Sequence, residues 1–162
     1  MTPDALATLH AHLLTALADA PAETRRLFHG RGRCWPGLEQ LTVDWLQGVV
    51  LVALFKETEH LQALKHTLLQ IEWSRFGVHT VALQHRYLPQ STTEWLVGDA
   101  IDELTITEGG LRYLIDLGKK QNSGLFLDMR YGRNWVREQA RGQRVLNLFA
   151  YTCGFSVAAI EG

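Results

Sequence analysis

Asn147 stands within the short apolar run Val145–Phe149, and a compact turn, Ala150–Gly154, follows that run directly. Phe155, Ala158 and Ala159 then recur at helical spacing, so the piece reads as a buried parallel strand, a tight loop and a helix N-terminus. A helix start carries free backbone N–H groups and partial positive charge, which suit a carboxylate or phosphate, and the Asn147 amide could meet a polar ligand group. The dinucleotide fingerprint is absent, since Gly154 is the one glycine in the loop. Spacing alone is equally satisfied by an ordinary strand-to-helix turn that binds nothing.

Two groups of cations could meet a polyanion. Arg25, Arg26, Arg31 and Arg33 cluster around Gly30 and Gly32, as a solvated glycine turn or as guanidinium contacts to RNA phosphates. Between Arg112 and Arg144 lie Arg112, Lys119, Lys120, Arg130, Arg133, Arg137, Arg141 and Arg144, half of the 16 basic residues of the chain, with Tyr131 and Trp135 among them. That mixture suits phosphate pairing and base stacking. It equally suits a helix capped by Asp128 whose inner face is Trp135, Val136 and Ala140 and whose arginines solvate the outer face.

Other chemistry is poorly represented. Cys34 and Cys153 form no C-x-x-C pair, which argues against a disulfide framework or structural zinc and fits a reducing, cytoplasmic setting. The acids Glu94, Asp99, Asp102, Glu103 and Glu108 read as a solvated run, and no metal site is expected. Net charge is −1 with an isoelectric point near 6.6, so bulk charge attracts neither nucleic acid nor membrane, and no apolar run is long enough to span a bilayer.

The elements that must position these groups follow from periodicity. Thr2 caps a helix to Ala20 with Pro3 in its first turn and a stripe of Leu6, Leu9, Leu13 and Leu17. Leu41, Val43 and Trp45 alternate in a half-exposed strand, Val49–Phe55 is a buried one, Thr58 caps a helix with Leu61, Leu64, Leu68 and Ile71 on one face, and Val78–Leu83 is a further strand. Leu104 and Ile106, then Leu111, Tyr113, Ile115 and Leu117, alternate about Gly109–Gly110 in a second hairpin. The expected organisation is an N-terminal helix (1–21), a small α+β domain with RNA-binding potential (22–98), a linking β-hairpin (99–118) and the start of an α/β Rossmann-like domain (119–162).

GLFLDMR (Gly124–Arg130) and VLNLFAYTCGFSVAA (Val145–Ala159), joined by a basic helix and preceded by EGGLRYLIDLG, resemble the class I S-adenosylmethionine-dependent RNA methyltransferases. Within them the chain is similar to bacterial large-subunit ribosomal RNA enzymes that methylate cytosine at carbon-5 or guanine at nitrogen-7. The resemblance implies S-adenosylmethionine as cofactor, held by Asn147, Phe149, Ala150, Tyr151, Thr152 and Gly154 of the first motif and by Phe126, Asp128 and Arg130 of the F-L-D-x-R segment, with Asp128 accepting from the ammonium. It implies ribosomal RNA as partner, with Arg31, Arg33, Arg133 and Arg137 as candidate contacts, and no membrane.

Cys153 stands where these proteins usually have glycine, so a positive φ there would strain the backbone. The catalytic group is expected beyond Gly162, so the chain is expected to be the N-terminal, truncated part of a longer enzyme and inactive alone. The alternative is a non-catalytic RNA-binding or dimerising module, with the open strand Val145–Phe149 pairing across a homodimer.

Overall fold

A computed structural model describes residues 1–19, 21–117 and 122–162. Lys119 and Lys120, counted in the basic stretch, and Ala20, the expected end of the first helix, lie outside them.

Helix α1 (Pro3–Ala18) is capped as its sequence predicts: the Thr2 hydroxyl accepts from the Ala5 N–H at 3.2 Å, and Leu6, Leu9, Leu13 and Leu17 are buried. It packs on a five-stranded sheet in the order β1-β2-β3-β4-β5, formed by β1 (Arg25–His29), β2 (Leu41–Trp45), β3 (Val49–Leu54), β4 (Thr80–His85) and β5 (Thr93–Val97). Neighbours are antiparallel except β3 and β4, whose parallel pairing is made possible by helix α2 (Leu61–Leu69) in the connection.

Several expectations are corrected. Arg25 and Arg26 are not in a glycine turn but in an edge strand, since β1 pairs with β2. The helix expected from Thr58 starts after His60, and the Thr58 hydroxyl instead accepts from the His60 N–H at 3.2 Å. β5 has no counterpart in the reading of the sequence, and Trp73–Phe76 is a 3-10 turn.

β2 is buried throughout rather than half-exposed, because the sheet is covered on both faces. On one, Leu41, Val43, Val50, Val52, Leu54, Val81 and Leu83 meet Leu9, Leu13, Leu64 and Leu68 of the helices. On the other, Val49, Leu51 and Ala82 meet Ile106, Tyr113 and Ile115 of the second hairpin, β6 (Glu103–Glu108) and β7 (Leu111–Asp116). Its two-residue turn has positive φ at Gly109 (59°) and Gly110 (76°), the twist-matched turn that favours glycine at both positions. Beyond it come helices α3 (Arg130–Gln139) and α4 (Gly154–Glu161), which pack on each other. No helix among the described residues is long and apolar enough to cross a membrane.

Val145–Phe149 does not form a buried parallel strand. It joins no ladder among the described residues, and Leu146, Leu148 and Phe149 are 80%, 68% and 101% exposed. Its apolar character is that of a sheet interior, but no strand lies alongside to make it one.

Candidate functional site

The two motifs meet. Between the Gly124–Phe126 segment and the loop ahead of α4 lies a hollow of about 120 Å³, walled by Gly124, Leu125, Phe126, Met129, Arg133 and Phe149 to Phe155 without Cys153. The Phe126 and Tyr151 rings lie 5.7 Å apart, and the Thr152 hydroxyl donates to the Gly124 carbonyl. A side chain at Gly154 would press on Leu125 at 3.3 Å, so glycine lets the helix start approach the Leu125 side chain.

The loop backbone is strained in a regular way. Phe149, Tyr151 and Cys153 have φ of 57°, 49° and 62°, left-handed conformations that cost a non-glycine residue on the order of 1–2 kcal/mol. The sequence exposes this at Cys153, the position where glycine is usual in the resembling family. No side chain caps α4, and Cys153 contributes its carbonyl to the Val157 N–H at 2.9 Å. The start of α4 therefore presents N–H donors and partial positive charge beside the hollow.

Six of the nine residues expected to hold the cofactor, Phe126, Phe149, Ala150, Tyr151, Thr152 and Gly154, line this hollow. Three do not. Asn147 donates its amide to the Ser156 hydroxyl at 2.9 Å and borders a different hollow with Val145 and Ala159. Arg130 is drawn to Glu23 at 3.0 Å. Asp128 does not line the loop hollow, and it does not cap α3, which starts from Met129 without a side-chain cap. It borders a second polar hollow with Arg26, Asp44, Arg86 and Asn122. Leu125 and Phe126 wall both, so the two hollows adjoin.

The expected RNA contacts divide similarly. Arg31 and Arg33 are exposed in the loop after β1. Arg133 is buried and grips both oxygens of buried Glu108, at 2.7 and 2.8 Å, while also donating to the Phe126 carbonyl at 2.9 Å. It is a structural tie, not an RNA contact. Arg137 spends one donor on the Gly109 carbonyl at 2.7 Å. Trp135, expected on the inner face of α3, is exposed.

Glu23 and Asp44 complete the electrostatics. Hydrogen bonds from the Gly109 and Gly110 N–H groups, at 2.8 and 2.9 Å, hold the Glu23 carboxyl below its ordinary value against some burial, with Arg130 adding to them. Burial pushes the Asp44 carboxyl up, opposed by Arg26, whose Nε and Nη2 donate to it at 2.8 and 3.3 Å. Glu108, expected as part of a solvated acidic run, is instead buried on the face of β6 that it shares with Ile106, where a carboxylate needs the cation that Arg133 provides.

Comparison with known proteins adds three findings. A family model described as S-adenosylmethionine-dependent methyltransferase matches residues 25–162. Ribosomal RNA large subunit methyltransferase I of Erwinia tasmaniensis is 34% identical over 131 residues, which is 78% of this chain and 33% of that protein; the protein of the same description from Serratia proteamaculans is 34% identical over 143 residues, 85% of this chain and 35% of that protein. Among solved structures, a Streptococcus mutans protein described as a candidate methyltransferase of this cofactor class aligns with a TM-score of 0.78 at 24% identity, over 97% of this chain and 42% of its own, and so shares the fold. The chain spans about a third of the length of these two curated relatives.

Proposed function

The chain belongs to the S-adenosylmethionine-dependent methyltransferase family, and from that premise we propose that its protein transfers a methyl group from S-adenosylmethionine to a base of large-subunit ribosomal RNA. The observation that carries this is the meeting of Phe126 with Tyr151, and of Thr152 with Gly124, around a hollow at the uncapped start of α4. Residues present there fit the amino-acid end of the cofactor: N–H donors and a positive helix end for its carboxylate, aromatic walls for its apolar stem.

The cofactor supplies a sulfonium-bound methyl group, an electrophile that needs only a well-placed nucleophile. This chain's residues bind and orient. Thr152 fixes the loop to the Gly124 segment, Asn147 ties the 145–149 stretch to the first turn of α4 through Ser156, and the Phe126 and Tyr151 rings wall one side of the hollow. Proximity of donor and base then supplies most of the rate. The RNA substrate is supported by what the two curated relatives are named for.

Methyl transfer is assigned to a protein of the relatives' length rather than to these residues alone. The backbone of residues 145–149, which joins no ladder among the described residues, is of the kind that parallel strands cover. Tritiated S-adenosylmethionine incubated with the full-length protein and unmodified large-subunit ribosomal RNA should label the RNA. Cofactor binding with label transferred only to another acceptor would overturn the substrate assignment, and absence of cofactor binding would overturn the whole reading.

A further inference from the structure

Because β2 is antiparallel to both β1 and β3, and β3 is parallel to β4, strands β1, β3 and β4 all end at the same edge of the sheet. Arg31 follows β1, Phe55 follows β3 and Arg86 follows β4. At that edge the guanidinium carbons of Arg31 and Arg86 lie 4.5 and 4.9 Å from the centre of the Phe55 ring. Neither arginine forms an ion pair with a carboxylate among the described residues.

Two cations sharing one ring repel, by on the order of 2 kcal/mol at the effective dielectric of a protein surface, while each gains about 0.5–1 kcal/mol from the ring. The pair comes near to breaking even, and an anion between them would turn it strongly favourable. Arg86 is further prepared for one. Its Nε is buried without a hydrogen-bond partner, and its Nη2 donates to Asn122. Burial first, then the Arg31 charge, depress its pKa, as expected of a cation awaiting a counter-ion.

The position fits a nucleic-acid strand. Phe55, Arg86, Asn122, Leu125 and Phe126 border one polar hollow, and Leu125 and Phe126 also wall the hollow at the methyltransferase loop. Asp44, the buried acid of that hollow, is already held by Arg26; Asp128 is exposed at its rim. Resting on the RNA reading given above, we propose that Arg31 and Arg86, held over Phe55, clamp a backbone phosphate of the RNA strand next to the nucleotide presented to the loop hollow. A phosphate accepts from both guanidinium forks, and the clamp reads no base, so it would set register rather than sequence.

The test is binding of a fluorescent single-stranded oligoribonucleotide across a salt series, with wild type and the double variant Arg31→Ala/Arg86→Ala. The double variant should bind at least about tenfold more weakly at low salt, and its slope of log affinity against log salt should be shallower by about 1.4, two contacts at about 0.7 each. Arg75→Ala, on the 3-10 turn and paired with Glu72, should change neither.

An unchanged slope in a double variant whose circular dichroism and thermal transition match wild type overturns the clamp and leaves the RNA reading standing. An equal loss in Arg75→Ala makes the effect one of bulk charge and also overturns it. If wild type binds no RNA at any salt, the RNA reading falls and the clamp with it, and calorimetry with S-adenosylmethionine separately decides the cofactor reading. Should the double variant fail to fold, Arg31→Gln in the exposed loop serves, with a slope shallower by about 0.7 expected and an unchanged slope overturning the clamp.

Discussion

Arg133 and Glu108 form a two-pronged ion pair, Nε to Oε1 at 2.7 Å and Nη2 to Oε2 at 2.8 Å, with both side chains essentially out of water. The third guanidinium edge reaches the Phe126 carbonyl at 2.9 Å. One side chain on α3 thus joins the β6–β7 hairpin to the segment that walls the loop hollow. The pair is local in space but spans 25 residues of chain, so the hairpin and the methyltransferase segment stand or fall together.

Removing one partner should be far worse than removing both. Arg133→Ala leaves a buried carboxylate without its cation, a loss of about 3–5 kcal/mol, whereas Arg133→Met with Glu108→Leu exchanges the pair for apolar contacts and should lie near wild type. Chemical denaturation of Arg133→Met, Glu108→Leu and the double variant closes the cycle. A loss in the double variant equal to the sum of the two single losses would mean that the pair contributes nothing specific.

Glu23 makes stability pH-dependent with a definite sign. The Gly109 and Gly110 N–H groups hold its folded pKa below the ordinary glutamate value, so its contribution is present above the unfolded pKa and is lost as pH falls through the lower, folded value. Glu23→Gln removes the titration. Between about pH 5 and about pH 3 the thermal midpoint of wild type should therefore fall more steeply than that of the variant. Parallel curves would show that the carboxylate is not held by the hairpin turn.

The left-handed loop makes an opposite kind of prediction. Cys153→Gly relieves a φ of 62° that a side chain tolerates poorly, and should raise stability by about 1 kcal/mol despite the larger entropy of an unfolded glycine. The same change restores the residue usual in the resembling family, so affinity for S-adenosylmethionine should rise or hold. A loss of stability would mean that the thiol makes a contribution exceeding the strain.

What the sequence revealed and what it hid follow from the range of the interactions. The leucine stripe of α1, the β2–β3 hairpin and the Gly109–Gly110 turn are local patterns and were legible. β5 was not: its five residues are all partly buried, so Glu94 and Trp95 offer no clean alternation and only pairing with β4 makes them a strand. In α3 the buried position belongs to Arg133 while Trp135 faces water, an inversion that depends on Glu108 and so lies outside any helical pattern. Motif matching brought Phe126 and Tyr151 together, but it could not tell that Asp128 borders the hollow of Arg26 and Asp44, because those two residues belong to the neighbouring sheet.

The exposed stretch 145–149 should govern how this chain behaves in isolation. Leu146, Leu148 and Phe149 put three large apolar side chains into water on a backbone with open hydrogen-bonding edges, a template for pairing with any other chain. Light scattering of the 162-residue chain should show association that grows with concentration and salt. Leu148→Lys places a charge on that edge and should suppress the association while leaving the thermal transition of the rest within about 0.5 kcal/mol, since the residue packs against nothing that the fold needs. Association that is unchanged in Leu148→Lys would locate the sticky surface elsewhere. A concentration-independent monomer in wild type would mean that the stretch finds a partner within its own chain in solution.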